Sequence, residues 1–507
     1  MTTSVLVGRL GGPRGAIATI AATLAALALA VFVSTKAADI SPLAPLAVAL
    51  FLVVPAWLFV NERVEISLAV LILYLGLLDG FIKLSVTTEL ASVGRDVLLY
   101  AIVLGMLTRT VVQHRATQIP PLMGWVLAWT LVVLAQLFNP NNGSWLHSLA
   151  SLRQHLEFVP LFFVGFLVMR NMGRLRVFVV LLVVVAAANG VVGLVQSTLS
   201  PDQLASWGPG YAAIVEGKGG APRTFAGDDG EAHVRPPALG SDAGFGGVIG
   251  AIALPGSLAL LLTRRRGGRI MLMRAALGAA TAMAVVAVLT SQARSAVVIA
   301  VAAVLAFVAL AAASRQAGRL IGGILAAGVL TFVGVTVATG QDTGAGFRYD
   351  SIAPDKVLET TVQSRSGTFN EIPKYVNLFP FGAGIGSTGP VAALFGGAKV
   401  QNLDSESQYT FMLVELGVPG LLMLIAFFVR LLTGVVRRLR RLRDKELQLL
   451  LAALAAPLFA QVVNWTVGST TATSPTAPYL WFVAGIFSYW LWAGGARGHE
   501  SADTVEP

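Results

Sequence analysis

The chain has no cysteine among its 507 residues. That absence excludes a disulfide framework and a thiolate metal site, even though its long loops are expected to face an oxidising space. Charge is scarce too: Asp, Glu, Lys and Arg make up 12% of the residues, about half the share usual in soluble domains, which excludes an ordinary soluble globular protein. No internal repeat of the kind that marks many transporters is visible. What fills the chain instead is apolar, 55% by residue.

The apolar residues are gathered into runs long enough to cross a bilayer, roughly 17 to 25 residues each. They centre on 16–34, 42–60, 66–80, 96–107, 121–138, 158–169 and 177–196, then on 245–262, 275–290, 296–313, 320–338, 411–431, 447–463 and 477–492. The expectation is an all-α polytopic membrane protein with about fourteen (12–14) transmembrane helices. The first run has the positive flanks of a signal peptide but no persuasive small-residue cleavage site, and is read as the first helix.

Basic residues give an independent check, because Lys and Arg accumulate in short cytoplasmic loops. One alternate set of loops holds Arg63, Arg109, Arg115, Arg170, Arg174, Arg176, the cluster 264–274, Arg315, Arg319 and the run 430–445. The other set is poorer in Lys and Arg although it contains the longest loops, so both termini are expected to be cytoplasmic. The net charge of +10 then belongs to topological anchors facing anionic lipid, and a nucleic-acid partner is not expected.

The chain divides into N-terminal membrane helices (1–199), an outer loop (200–244), central helices (245–339), a large outer loop (340–405), C-terminal helices (406–494) and a cytoplasmic tail (495–507). Gly and Pro density in 200–244 rules out a continuous helix there. The longest polar interruption, 340–405, contains SRSGTFNEIPKYVNLFPFGAGIGSTGP and re-enters the apolar pattern through DSESQYTFMLVELGVPGLL. Pro373 and 374–378 read as a short amphipathic helix. PFGAGIGS supplies backbone able to approach a ligand closely, but it lacks the preceding strand and the lysine of a nucleotide loop, which excludes nucleotide binding.

Arg235, Arg294 and Arg365 lie near helix ends on the outer side, and a guanidinium suits bidentate hold of a diphosphate. Arg294 stands in the tight turn SQARS; the competing reading is an arginine that snorkels to the headgroups. Asp404 and Glu406 stand at the entrance to the helix near 411, where a carboxylate caps free N–H groups; Glu406 is alternatively a general base for an incoming hydroxyl. Glu415, deeper in that helix, reads as a protonated, structural group holding a kink before Gly417, Pro419 and Gly420.

In order along the chain, SQARS, SRSGTF, PFGAGIGS and SQYTFMLVELGVPGLL resemble the O-antigen ligase and polymerase superfamily of bacterial polysaccharide assembly. The resemblance covers the second half; HVRPPALGSDAGFGG matches more loosely an earlier arginine-containing outer loop. It implies a glycosyltransferase C-like fold and a metal-independent, cofactor-free glycosyltransferase in the bacterial cytoplasmic membrane. Its donor would be a glycan on undecaprenyl diphosphate, and its acceptor a glycan or glycolipid at the outer face of the bilayer. Glu406, Arg365 and Arg294 would be catalytic, and Arg235, Arg223, Lys374, Tyr409 and Asp404 would bind substrate.

Ligases of this family carry a His-Asn pair where this chain has Glu406 and Ser407, which moves the expectation toward a polymerase. His155 and His233 lie elsewhere on the outer side and do not fit that motif. Ligase-type transfer remains an alternative. The rivals from other classes are a flippase for lipid-linked oligosaccharide, which would show broken or charged helices near the midplane, and a membrane scaffold.

Overall fold

The computed structural model of the chain describes residues 44–86, 89–112, 118–142, 145–217, 224–226, 232–263, 270–311, 370–388, 407–466, 468–496 and 499. The expected spans 16–34 and 320–338 lie outside these residues; helices occupy the remaining ones. Among the described residues, seven helices are long and apolar enough to cross a membrane. The protein is an all-α membrane protein whose described β-structure is one two-stranded ribbon.

The chain forms two compact units, Met1–Leu75 with Thr88–Ile119, and Gly76–Thr87 with Pro120–Pro507. In the smaller unit, α1 (Ala44–Val60) packs on α3 (Glu89–Val112). The buried Arg109 side chain donates a 2.6 Å hydrogen bond to the Phe59 carbonyl, so this cation is held at the C-terminal end of a neighbouring helix, where the backbone dipole favours it. Between these helices in sequence comes α2 (Val64–Ser85).

The larger unit continues with α4 (Met123–Ala135), α5 (Trp145–Leu156), α6 (Leu161–Val168), α7 (Met172–Ser197), α8 (Pro201–Ala205) and α9 (Pro209–Glu216). A ribbon of β1 (Thr224–Ala226) and β2 (Ala232–Val234) pairs Phe225 with His233. Then come α10 (Phe245–Leu262), α11 (Ile270–Thr290), α12 (Arg294–Ala311) and α13 (370–378). Last are α14 (Gln408–Leu439), α15 (Lys445–Asn464) and α16 (Thr476–Phe487).

The main packing pairs are α7 with α10 and α11, α12 with α15, and α6 with α16. Small residues permit these approaches, as expected where lipid offers no hydrophobic drive for helix association. A Cβ at Gly165 would strike the Phe482 carbonyl, and one at Gly485 the Phe162 carbonyl. One expected span is corrected here. Over 158–169 the helix is only the 8 residues of α6, about 12 Å at 1.5 Å per residue, because turns through Pro160 separate it from α5.

Contacts between distant segments define two ends of the larger unit. At the start of α7, Arg176 pairs with Glu446 at the start of α15. Nearby, His499 lies 3.2 Å from Asp444 and the Arg438 guanidinium stands 4.5 Å over the Trp492 ring. This end is basic. At the other end of α7, about 39 Å away for its 26 residues, Gln196 clamps Ala238 through both amide atoms, 3.0 and 2.8 Å. There Asn189 donates to the Gly76 carbonyl, 2.9 Å, at the π-helical turn Tyr74–Leu78. Leu84, Leu204, Tyr211 and Val234 form a small core at the same end.

Candidate functional site

The start of α14 is fixed by two devices. Ser407 is the N-cap: its hydroxyl accepts from the Thr410 N–H at 3.1 Å and the Thr410 hydroxyl takes the Ser407 N–H in return. The cap expected from Asp404 or Glu406 is thus supplied by Ser407, whose short side chain reaches the N3 amide directly. Gln408 then ties the helix to the chain after α15. Its amide donates to the Thr471 hydroxyl, 2.7 Å, and accepts from the Thr470 and Thr471 N–H groups, 2.6 and 3.0 Å.

Three turns later α14 breaks. Gly417 adopts φ 69°, ψ −170°, and Pro419 lacks the N–H that would bond back to the Glu415 carbonyl. In an apolar medium the groups released by such a break need partners. The glycine-rich segment after α13 provides them. The Val418 N–H, which an unbroken helix would send to Val414, goes to the Pro380 carbonyl at 2.9 Å, while the Val414 carbonyl accepts from the Ala383 N–H at 2.7 Å. Gln136 donates to the Leu416 carbonyl, 3.3 Å, and to the Phe381 carbonyl, 2.8 Å. Asn139 holds the Gly382 carbonyl, 2.9 Å.

The loop then turns onto Glu415. Gly382, Gly384 and Gly386 have φ of 90°, 101° and 77°, a left-handed region that other residues enter at a cost. Those turns deliver the Gly386 N–H to Glu415 Oε2, 2.8 Å, and the Thr388 N–H to Oε1, 2.9 Å. His155 Nε2 stands 3.0 Å from Oε2, with its ring stacked on Phe411 at 5.6 Å. His147 Nε2 lies 2.9 Å from the Gly386 carbonyl. Glu415 is fully buried, so the close approach anticipated for PFGAGIGS is made to the protein's own carboxylate. The helix is broken at Gly417, and the Glu415 side chain beside the break ties the glycine-rich segment to it.

Among the expected substrate-facing residues, Arg294 is exposed as the first residue of α12. A cation there opposes the helix dipole, so helix stability gives no reason for it. It follows Gln292, which has a φ of 51°. Arg235 follows β2 and is half-buried. The segments carrying these two arginines adjoin, since a Cβ on Gly244 would lie 3.6 Å from Ala293. Lys374 is exposed on α13 and paired with Glu371 at 2.6 Å, a contact that holds its pKa above the ordinary lysine value. Opposite it, Tyr375 is buried against Leu413 and Val414. Tyr409 is half-buried with its ring edge-on to Trp465 at 5.9 Å. Arg223, Arg365, Asp404 and Glu406 lie outside the described residues.

Sequence reasoning missed His155, His147, Gln136, Asn139 and Gln408. His155 was set apart from the helix-entrance motif, yet it meets the carboxylate of that same helix. The available signal was the polar side chain within an apolar run, as at Gln136 in LVVLAQLF, since such groups in membrane helices face protein partners.

The fold and site define a polytopic all-α membrane protein in which a glycine-rich loop closes the break in a discontinuous helix. No protein-family model and no curated protein sequence matches the chain.

Proposed function

We propose that the chain is a fourteen-helix, glycosyltransferase C-like enzyme of the O-antigen ligase and polymerase type. It would extend or transfer a glycan from undecaprenyl diphosphate at the outer face of the bacterial cytoplasmic membrane, as a polymerase rather than a ligase. The observation that carries this reading is the interlock of PFGAGIGS with ELGVPG: two of the four motifs on which the resemblance rests form one unit at the break in α14. The basic end of the larger unit supports a cytoplasmic placement of the Arg-rich loops. Arg294 and Arg235 then belong to the outer end, with exposed Leu378 and Phe381 offering apolar surface there.

In the proposed reaction an acceptor hydroxyl oxygen forms a bond to the anomeric carbon of the donor as the bond from that carbon to the diphosphate oxygen breaks. Glu406 takes the hydroxyl proton. Arg294 and Arg365 hold the leaving diphosphate and stabilise the charge it gains, while Arg235, Arg223, Lys374, Tyr409 and Asp404 line the substrate path. Neither a metal nor a cofactor is required by this scheme.

The discontinuous α14, with a buried carboxylate and imidazole beside its break, favours a second reading, a transporter of lipid-linked oligosaccharide. Reconstitution with a purified undecaprenyl-diphosphate oligosaccharide separates the two. Self-elongation identifies a polymerase, transfer only to an added acceptor a ligase, and movement across the bilayer without bond formation a flippase.

A further inference from the structure

The glycine loop has two anchorages of different kinds. Residues 380–383 are woven into the helix break by backbone exchange with Val414 and Val418 and by the amides of Gln136 and Asn139. Residues 386–388 meet the helix break through side chains: the Glu415 carboxylate takes two of their N–H groups, and His147 meets the Gly386 carbonyl. Between the anchorages lies Gly384, and Gly386 opens the second; both are left-handed and therefore able to rearrange where other residues resist. His155 shares Oε2 with the Gly386 N–H and is braced by Phe411 and by Trp129, whose ring is edge-on at 6.4 Å. It fixes the carboxylate rotamer that both N–H groups require.

We propose that His155 and Glu415 are positioning residues: they latch residues 386–388 onto the break in α14 and so set the start of the segment that runs on to Asp404 and Glu406. Both are too deeply buried to meet a substrate. Their effect on rate rests on the glycan-transfer reading; their hold on the loop does not.

The absence of native cysteine makes the test direct. A single cysteine is placed at Ser387, which is buried, in the full-length chain in lipid nanodiscs, and its labelling by a water-soluble maleimide is timed. Glu415→Gln, which turns an acceptor into a donor facing an N–H, is expected to speed labelling about tenfold or more, the consequence of one unsatisfied buried group. His155→Ala behaves likewise, whereas His155→Gln, which keeps an N–H near Nε2, stays close to the parent. A separate cysteine at Ala453, buried in α15, remains protected throughout.

Unchanged labelling at position 387 in Glu415→Gln overturns the latch. So does exposure at position 453, which makes the pair a general support of the fold. In the transfer assay His155→Ala is expected to lower kcat about tenfold with KM nearly unchanged, and His155→Gln to restore it. Faster labelling with an unchanged kcat overturns the positioning role. Faster labelling in the variants, with a parent protein that transfers no glycan, leaves the latch standing and removes the glycosyltransferase reading.

Discussion

His155 and Glu415 stand 260 positions apart in the chain, and their side chains meet at 3.0 Å inside the protein. The contact joins α5 to α14 at the point where α14 is interrupted. Removing the carboxylate while keeping the cavity apolar isolates its worth. Glu415→Leu leaves the Gly386 and Thr388 N–H groups and the imidazole without their acceptor, and is expected to destabilise the protein by about 3 kcal/mol. Thermal unfolding in detergent, followed by circular dichroism, measures this.

Gly386→Ala tests the loop from its other side. The new methyl group would enter the space of Ser151 and His147, at a φ of 77°. Strain and overpacking together are expected to cost about 3 kcal/mol. Gly278→Ala, where a Cβ meets nothing within 4 Å, serves as the control and should match or slightly exceed the parent in stability.

How much of this was legible beforehand differs by element. The helix Phe245–Leu262 coincides with its apolar run because no charge intrudes and the hydroxyl of Ser257 bonds within the helix to the Leu254 carbonyl, and a run of that kind has one solution in lipid. The kink at Gly417 was readable from Gly and Pro so close together. The pairing of Glu415 with His155 was not, since no local pattern records a partner 260 residues away. The eight-residue α6 was over-read because hydropathy sees composition and is blind to a turn at Pro160. PFGAGIGS reads as backbone able to approach a ligand closely, and the group that its Gly386 amide meets is the side chain of Glu415.

Arg294 carries the proposed activity without supporting the fold, as its exposure at the start of α12 indicates. Arg294→Ala is expected to leave the melting temperature within a degree or so of the parent, in keeping with an exposed surface substitution, and to abolish glycan elongation. Arg365→Ala is expected to abolish it as well. Normal chain-length profiles from both variants would remove the catalytic scheme.

Gln461 presents the opposite case. It is almost fully buried on α15, and among the described residues neither end of its amide has a hydrogen-bond partner. Such a group costs roughly 1–3 kcal/mol, so Gln461→Leu is expected to stabilise the protein by about 1 kcal/mol in the same thermal assay. A loss of stability would show that the amide is satisfied by ordered water.

Tyr211 gives a pH signature at the α9 end of the molecule. Burial pushes its hydroxyl up to about 12 from the ordinary 10.0. Between those values the unfolded tyrosine ionises while the folded one keeps its proton, so the unfolded state binds fewer protons and stability falls as pH rises through this window. Tyr211→Phe removes the titrating group. It is expected to flatten the alkaline loss of stability between pH 10 and 12, as read from melting temperatures across that range.

The last prediction separates two neighbours with different work. Ser407 caps α14 through the Thr410 N–H, so Ser407→Ala is expected to lose about 1 kcal/mol of stability while retaining most of the transfer rate. Glu406 is one residue earlier, and the helix start has its cap from Ser407 without it. Glu406→Gln is expected to keep the parent's melting temperature and to slow transfer by a factor on the order of 10². The remaining activity of Glu406→Gln should also lose the acidic limb of the pH–rate profile that a carboxylate base imposes, because an amide does not titrate. If instead Ser407→Ala and Glu406→Gln lower stability alike and leave the rate intact, the carboxylate belongs to the helix entrance and the base must be sought elsewhere.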